Sequence, residues 1–587
     1  MKRETGFIHV KNNYAVTWAV GHLVTLVDAD EYDARFKKWN VDDLPIVPSP
    51  FKLKTIASSR EQFKIVSNLL KQASEVIVAT DAGREGQLIY ELIAIKAGYK
   101  GATKRLWLSS MTEDAIKNAF RKLRDNKDFQ SLFFAGFARS QADWLVGINV
   151  TRAITVKAGG LLPVGRVQTP TLAMIVNRDE SIEQFQSTPY YEVQAEFTHP
   201  NGTYKGKWVN QKDKSSRFED REQAKHIAQK VQGQPGQIVK LEQKTTKEQS
   251  PQLFDLTSLQ RRANQLFGFT ADHTLKIAQA LYETHKILTY PRTDSRYISD
   301  DIVPSLHARL EAATQLFDDL RQYISTIIKP SKRVVNASKV ADHHAIIPTE
   351  KPGTGSLSKD ERLIYELVTK QTMAALMENA EWANTLIETT VQGESFRTSG
   401  RVLIKAGWRA VMGKQADAVD KKEDDDEEDN LPLVSKQDQV AMESVNVLSK
   451  QTKPPHHFTE ASLLSAMENA EKQVEDDQLA EAMKERGLGT PATRASIIEK
   501  LKKDGYIATD KKKLLSTLKG RQLINAIQVN ALKSPELTGI WEHKLKQIEQ
   551  GQYDAKQFIS EIVSFTTEVI EQLKHAEIHV EQAPRGK

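Results

Sequence analysis

Tyr290 ends a short apolar run, with Pro291 directly after it and Arg292 two positions on, in "HKILTYPRTDSRY". A phenol becomes a nucleophile once it loses its proton, but a reference pKa of about 10 keeps it neutral without help. A guanidinium fixed beyond a rigid proline can pair with a phosphate oxygen through its planar fork and offset the charge that builds there. The same tyrosine would serve equally well as a core aromatic, so its site must be judged by the groups that share it.

Three other stretches carry candidates. In "ATDAGREG", Asp81 is expected to end a strand and Glu85 to stand at the mouth of the following helix. Carboxylates so placed can hold Mg²⁺, which takes oxygen ligands and keeps several waters. The competing reading is that Asp81 caps the helix and Glu85 favours its dipole. In "LPVGRVQTPTL", Gly165 lets the backbone approach a ligand, and Arg166 and Gln168 could reach a phosphate or sugar. That stretch also reads as a loop closing onto a helix with Pro170 in its first turn. In "ADHHAIIPT", the adjacent His343 and His344 would point apart on an extended segment, which suits them poorly to one metal. One imidazolium near a phosphodiester would still supply positive charge.

Composition narrows the chemistry. The chain of 587 residues contains no cysteine, which removes disulfides, thiolate nucleophiles and cysteine-held zinc. A net charge of +5 permits a nucleic-acid partner without establishing one. Hydrophobic residues at 39% and charged residues at 27% describe a globular chain with room for about four domains. No apolar run approaches the ~18 residues of a membrane helix, and the start "MKRETGF" has no apolar segment behind its charges. A cytoplasmic protein is expected.

The elements that must position these residues follow from the patterning. The run from Glu75 predicts strand, glycine turn and amphipathic helix, an α/β unit. From Asp128 to about Glu180 the pattern is helical. Alternating stretches around the Asn201-Gly202 turn and from Asn384 predict strands. They are expected to form one β-built arm, with the tyrosine region inserted at its far end where few contacts would hinder hinge motion. "DKKEDDDEEDNLP" is a solvated acidic linker, and "GLGTPATRASIIEKLKKDGYIATDKKKLLSTLKGRQL" reads as a helix followed by a lysine-rich hairpin, the order of a winged helix.

Taken in order, "ATDAGREG", "ADWLVGINVTRA", "GRVQTPT", "LTYPRTDSRY", "DHHAIIPT" and "GLGTPATRASII" resemble a bacterial type IA DNA topoisomerase of the topoisomerase III kind, over nearly the whole chain. The resemblance implies a multidomain α/β and α+β toroid with toprim, winged-helix-like, β-arch and nucleophile domains. The expected divisions are toprim 1–127, winged-helix-like 128–188 and 454–587, arch 189–250 and 351–453 with an acidic loop at 419–430, and nucleophile 251–350. It implies that Tyr290 cuts one DNA strand as a 5′-phosphotyrosine without ATP. Arg292, His343 and Glu85 would assist, with Mg²⁺ on Asp81 and Glu85. DNA contacts carry over to Pro163, Val164, Gly165, Arg166, Val167 and Gln168, and to Trp39, Trp144, Arg152 and Arg494. The implied partners are single-stranded and negatively supercoiled or catenated DNA, and a helicase, with the chain a monomer at the nucleoid.

Three departures from the family pattern bear on this. The middle acidic position of the toprim motif is Gly83, and the tail "EQAPRGK" carries no zinc ribbon or long basic tail. The family's first toprim strand, with Glu-Lys-Pro, is expected to lie before Met1, and Glu4, with no strand before it, is not expected to replace it. The alternative reading is therefore a truncated, cleavage-deficient remnant that only binds single strands. A type IB enzyme or tyrosine recombinase fits poorly, since its tyrosine would lie near the chain end among arginines and without toprim carboxylates.

Overall fold

The computed structural model describes residues 2–11, 13–108, 112–340, 342–353, 357–416, 431–473, 481 and 487–576. The acidic loop expected at 419–430 and the tail "EQAPRGK" lie outside the described residues.

The chain opens with Lys2–Glu4 (β1), Phe7–Val10 (β2) and Tyr14–Thr17 (β3) in one antiparallel sheet. Glu4 does lie in a strand, contrary to the sequence expectation. Its pairing is local, opposite Phe7, because Gly6 at φ +81° turns the chain straight back. Val24–Leu26 (β4) and Leu53–Thr55 (β5) form a separate antiparallel pair.

The expected α/β unit follows. Glu75–Val78 (β6) runs parallel to Ala102–Arg105 (β7), joined by the helix Arg84–Ala97, and Arg124–Asp125 (β8) pairs antiparallel with β7. The helix stops at Gly98, left-handed at φ +70°, where a side chain would be strained. Among the described residues the other edge of β6 has no strand partner.

Both strand-rich stretches enter one closed barrel. Pro189–His199 (β9), Gly202–Val209 (β10) and Gly236–Glu248 (β11) join Ala380–Val391 (β12), Glu394–Lys405 (β13) and Gln439–Gln451 (β14) in the order β10-β13-β12-β11-β14-β9. The inward set follows the period of two: Val193, Ala195 and Phe197 are buried at alternate positions of β9, and Phe197 packs against Tyr204 and Phe396. The described residues between β11 and β12, Tyr290 included, form a largely helical body with its own core around Leu259, Leu281, Ile364 and Val368.

A third core unites distant parts of the chain. The helices Gln130–Ala158 and Gln168–Glu183 pack with Pro491–Lys503, Glu536–Glu549 and Ala555–His575. After Pro491–Lys503 comes the lysine-rich hairpin Ile507–Asp510 (β15) and Lys513–Ser516 (β16). The ring closes where Arg296 of the tyrosine region meets Glu468 of the helix Glu460–Glu468 at 2.7 Å. No helix among the described residues is long and apolar enough to cross a membrane.

Candidate active site

Tyr290 does not end a strand as expected. Its neighbour Leu288 makes a single bridge to Pro348, because the facing segment 345–349 is too short and irregular to extend the ladder. Hydrogen bonds nevertheless stitch the two segments together. Thr289 N donates to Ile347 O at 3.0 Å, Ile347 N donates to Thr289 Oγ1 at 3.0 Å, and Thr293 Oγ1 donates to His343 O at 2.8 Å. This clamp sets the His343 ring 4.3 Å from the Tyr290 ring, centroid to centroid.

The helix Ala271–Glu283 holds the other side. Tyr282 meets the Tyr290 ring edge-on at 5.4 Å. Gln279, three residues earlier and so on the same helical face, brings its side-chain amide to Arg292 Nε at 3.2 Å and Nη2 at 3.0 Å, and the orientation that satisfies both groups puts the amide oxygen toward the guanidinium. Pro291 is buried while Arg292 is exposed, so the proline is the anchor and the guanidinium is presented outward. Burial, reinforced by Asp81 and only partly opposed by Arg292, pushes the Tyr290 phenol up to about 12.

The α/β unit faces this tyrosine. Asp81 lies three residues past the end of β6 rather than at it, and Gly83 is the N-cap of the helix, so Asp81 does not cap it. Asp81 Oδ1 stands 3.4 Å from His343 Nε2, close enough to pair charges but without hydrogen-bond geometry. The His343 contact holds the Asp81 carboxyl below its usual range. Glu85 Oε1 is 2.5 Å from His22 Nε2, and this pairing lowers the Glu85 carboxyl likewise. Beneath them, fully buried Arg105 donates to the carbonyls of Val78, Thr80, Asp81 and Leu106. His344 turns away from the site and into the core, donating from Nδ1 to Ala345 O at 2.7 Å, as adjacent histidines must.

Asp81 and Glu85 have the donor chemistry that Mg²⁺ takes alongside water and substrate phosphate. Both side chains are more than half exposed, at 58% and 61%. Among the described residues no three His, Asp or Glu side chains converge as a ligand set.

The DNA-contact candidates divide. Trp39, 37% exposed, lies over the Arg152 guanidinium at 5.0 Å, and both line a cleft with Phe36 and Thr151. Trp144 is instead a packing residue: its Nε1 donates to Val27 O at 3.0 Å and its ring meets Tyr32 and Phe51 edge-on.

In the 163–168 segment, Pro163, Gly165 and Val167 are half-buried and Val164, Arg166 and Gln168 are buried. Arg166 and Gln168 therefore do not reach outward as expected. Arg166 pairs with Asp143 at 3.1 Å and Glu542 at 3.5 Å above the Trp541 ring, and Gln168 donates to Asp504 at 3.3 Å. Arg494 is also turned inward, donating to Leu488 O at 3.2 Å and Thr257 Oγ1 at 2.8 Å.

Gln279, His22 and Arg105 were missed by sequence reasoning. Gln279 and Tyr282 at i and i+3 were the one readable signal, and it has meaning only once that helix is known to face the tyrosine.

The family described as DNA topoisomerase matches residues 127–560, and the Toprim domain matches residues 4–111. DNA topoisomerase 3 of Bacillus subtilis (strain 168) is 42% identical over 585 residues, spanning 98% of this chain and 79% of that protein. DNA topoisomerase 3 of Bacillus licheniformis is 42% identical over 584 residues with the same coverage. The structure of full-length topoisomerase I from Thermotoga maritima shares the fold, with TM-score 0.70 over 95% of this chain and 87% of that one at 22% identity. The matches span 98% of this chain, which counts against a remnant that only binds DNA. With a family match over most of its length and relatives this close, the chain belongs to the bacterial type IA DNA topoisomerases, of the topoisomerase III kind.

Proposed function

We propose that Tyr290 is the residue through which this ATP-independent topoisomerase breaks and rejoins one DNA strand. The phenolic oxygen bonds to phosphorus, and the bond from phosphorus to the 3′-oxygen breaks. That oxygen leaves as a 3′-hydroxyl after taking up a proton, and the 5′-phosphate remains on the tyrosine. The reverse attack restores the strand, so one phosphodiester is exchanged for another and no nucleotide is consumed.

The observation that carries this reading is the meeting of Tyr290 and Asp81 at one imidazole, His343, from separate bodies of the fold. A phenol pushed up to about 12 must be relieved when DNA enters. Arg292, beside Gln279, is placed to pair with the phosphate, and the His343 ring lies against the phenolic ring. Asp81 and Glu85 would hold Mg²⁺, which supplies further positive charge near the phosphate. The cleft of Trp39 and Arg152 would take an unpaired base and its backbone. Half-buried Pro163, Gly165 and Val167 would contact the strand through their backbone. The implied domain divisions, a monomeric state, a cytoplasmic site at the nucleoid, catenated or negatively supercoiled substrates and a helicase partner belong to the same reading.

Tyr290→Phe, mixed with an end-labelled single strand and Mg²⁺, should form no detergent-stable adduct while binding the strand within about twofold of the parent. An adduct formed by the Phe variant would remove Tyr290 from this role.

A further inference from the structure

The lysine-rich hairpin takes no part in the cleavage site, yet the charge of the protein gathers there. Between positions 500 and 520 stand seven lysines and two aspartates, a net +5 that equals the net charge of the whole chain. The rest of the sequence therefore balances, and this stretch is basic on its own account.

Two neighbouring elements carry these lysines. The helix Pro491–Lys503 buries Arg494, Ala495, Ile498 and Leu501 along its length and offers its cations at the carboxyl end, where Lys503 is exposed. Asp510 of β15 pairs with Lys513 of β16, which leaves Lys511 and Lys512 as a two-residue turn, and all three lysines are exposed. Lys511 stands at φ +55°. Glycine or asparagine would make that turn with less strain, so turn geometry does not account for a lysine there. Lys500 is taken up by Asp504 at 2.9 Å, and Lys502 by Glu499 at 2.8 Å and by Glu460. Lys503, Lys511, Lys512 and Lys513 have no ion-pair partner among the described residues.

The make-up of the patch narrows the anion it suits. A single strand is gripped by aromatic rings on which its bases stack, interleaved with cations. Between positions 491 and 530 the one aromatic residue is Tyr506, and it is fully buried. With no stacking platform the patch engages phosphates alone, and duplex DNA presents about one such charge per 1.7 Å of its axis. Contacts of that kind position a duplex without reading its sequence.

We propose that the carboxyl end of the helix Pro491–Lys503 and the turn between β15 and β16 bind duplex DNA, so that the favoured substrate is a junction where a single strand runs into duplex. The inference rests on the chain's being a DNA topoisomerase and names the form of DNA it takes; it does not depend on Tyr290. A Cβ on Gly268 would lie 3.7 Å from Lys512 Cε, so the turn abuts the end of the helix Leu256–Phe267 in the body that carries Tyr290. A duplex held at the turn thus lies beside the body that opens for strand passage. The competing reading is that Lys512 offsets the carbonyl end of that helix. It accounts for one lysine and leaves the other three unexplained.

Fluorescence anisotropy on the full chain separates the readings, with an end-labelled single strand, a blunt duplex of the same length and a duplex bearing a single-stranded overhang. Each is titrated over a range of salt without Mg²⁺, so that binding is read apart from cleavage. Lys511→Gln, Lys512→Gln and Lys513→Gln combined should weaken binding of the duplex and the overhang substrate by about tenfold or more. The slope of log affinity against log salt should flatten by up to about three units on those two substrates. Binding of the single strand should stay within about twofold of the parent. Lys503→Gln, on the helix rather than the turn, should flatten the duplex slope by about one unit.

Equal losses on single strand and duplex would overturn the proposal and place the lysines on the single-strand path. A lower melting temperature with unchanged duplex binding would overturn it too, and reduce the turn to a cap on the helix Leu256–Phe267. So would a parent that binds the overhang substrate no more tightly than the bare single strand. Tyr290→Phe should give the parent's titrations, so failure of the nucleophile assignment would show in the adduct assay and not here.

Discussion

Arg166 and Glu542 lie 3.5 Å apart in a buried network although 376 residues separate them in the chain. Glu542 also pairs with Arg84 at 3.2 Å and approaches Arg139 at 3.8 Å, and Arg84 bonds Glu549 as well. One helix near the carboxyl end thus ties down the first helix of the α/β unit and the 163–168 segment together.

Arg166→Ala should therefore act on stability. Removing one member of a buried ion network typically costs about 3–5 kcal/mol, because the remaining charges lose a partner they cannot replace with water. Chemical denaturation should show a loss of that order. The slope of log affinity for single-stranded DNA against log salt should stay unchanged, whereas a lost phosphate contact would flatten it by about one unit. Arg494→Ala should behave in the same way.

Trp39 and Trp144 should part company. Trp39 is exposed above a guanidinium, so Trp39→Ala should weaken single-strand binding by about 1–3 kcal/mol with little change in melting temperature. Trp144→Ala should lower the melting temperature, because it removes a packed ring and its bond to Val27 O. Equal losses of DNA affinity in both variants, measured by fluorescence anisotropy, would contradict this division.

The phenol of Tyr290 gives a pH signature. Its folded pKa of about 12 lies above a phenol's ordinary 10.0, so between those values the folded chain keeps the proton while the unfolded chain loses it. No cost arises below pH ~10, and stability falls as pH rises from there toward ~12. By pH 11 the loss from this one group is about 1 kcal/mol. Tyr290→Phe should lose correspondingly less stability than the parent between pH 9 and 11. Parallel curves for the two proteins would show that the site does not hold the phenol neutral.

These tests also mark where the sequence was readable. Tyr290, Pro291 and Arg292 are neighbours in the chain, so their shared site needed only local reasoning. The two β-stretches could be read as one arm because alternation reports each strand's buried face. Arg166 and Arg494 look like surface cations in isolation, and only a glutamate or a threonine hundreds of residues away decides that they turn inward. Glu4 was set aside for want of a strand before it, whereas the chain folds back at Gly6 so that Lys2–Glu4 pairs with the strand that follows.

The last expectation concerns the joint between barrel and tyrosine body. At the end of β11, Glu248 accepts from Trp382 Nε1 at 2.6 Å and Arg409 Nη1 at 2.7 Å, and Arg401 stacks on the Trp382 ring at 3.9 Å. These residues come from β11, β12, β13 and the turn of helix Arg409–Met412, the strands through which the tyrosine body is connected. Opening a gap for strand passage requires that body to move against the α/β unit, and a joint of two strands is where such rotation is least hindered. Glu248 opposes rotation by holding cations from both sides of the joint. Glu248→Gln keeps the size of the side chain and a bond to Trp382 while removing its charge, so the ring should open under a smaller load. With single DNA molecules held in magnetic tweezers, the variant's cleaved strand should open at lower force and stay open longer, with adduct formation on short oligonucleotides unchanged. An unaltered distribution of opening forces would mean that the rotation occurs elsewhere in the arm.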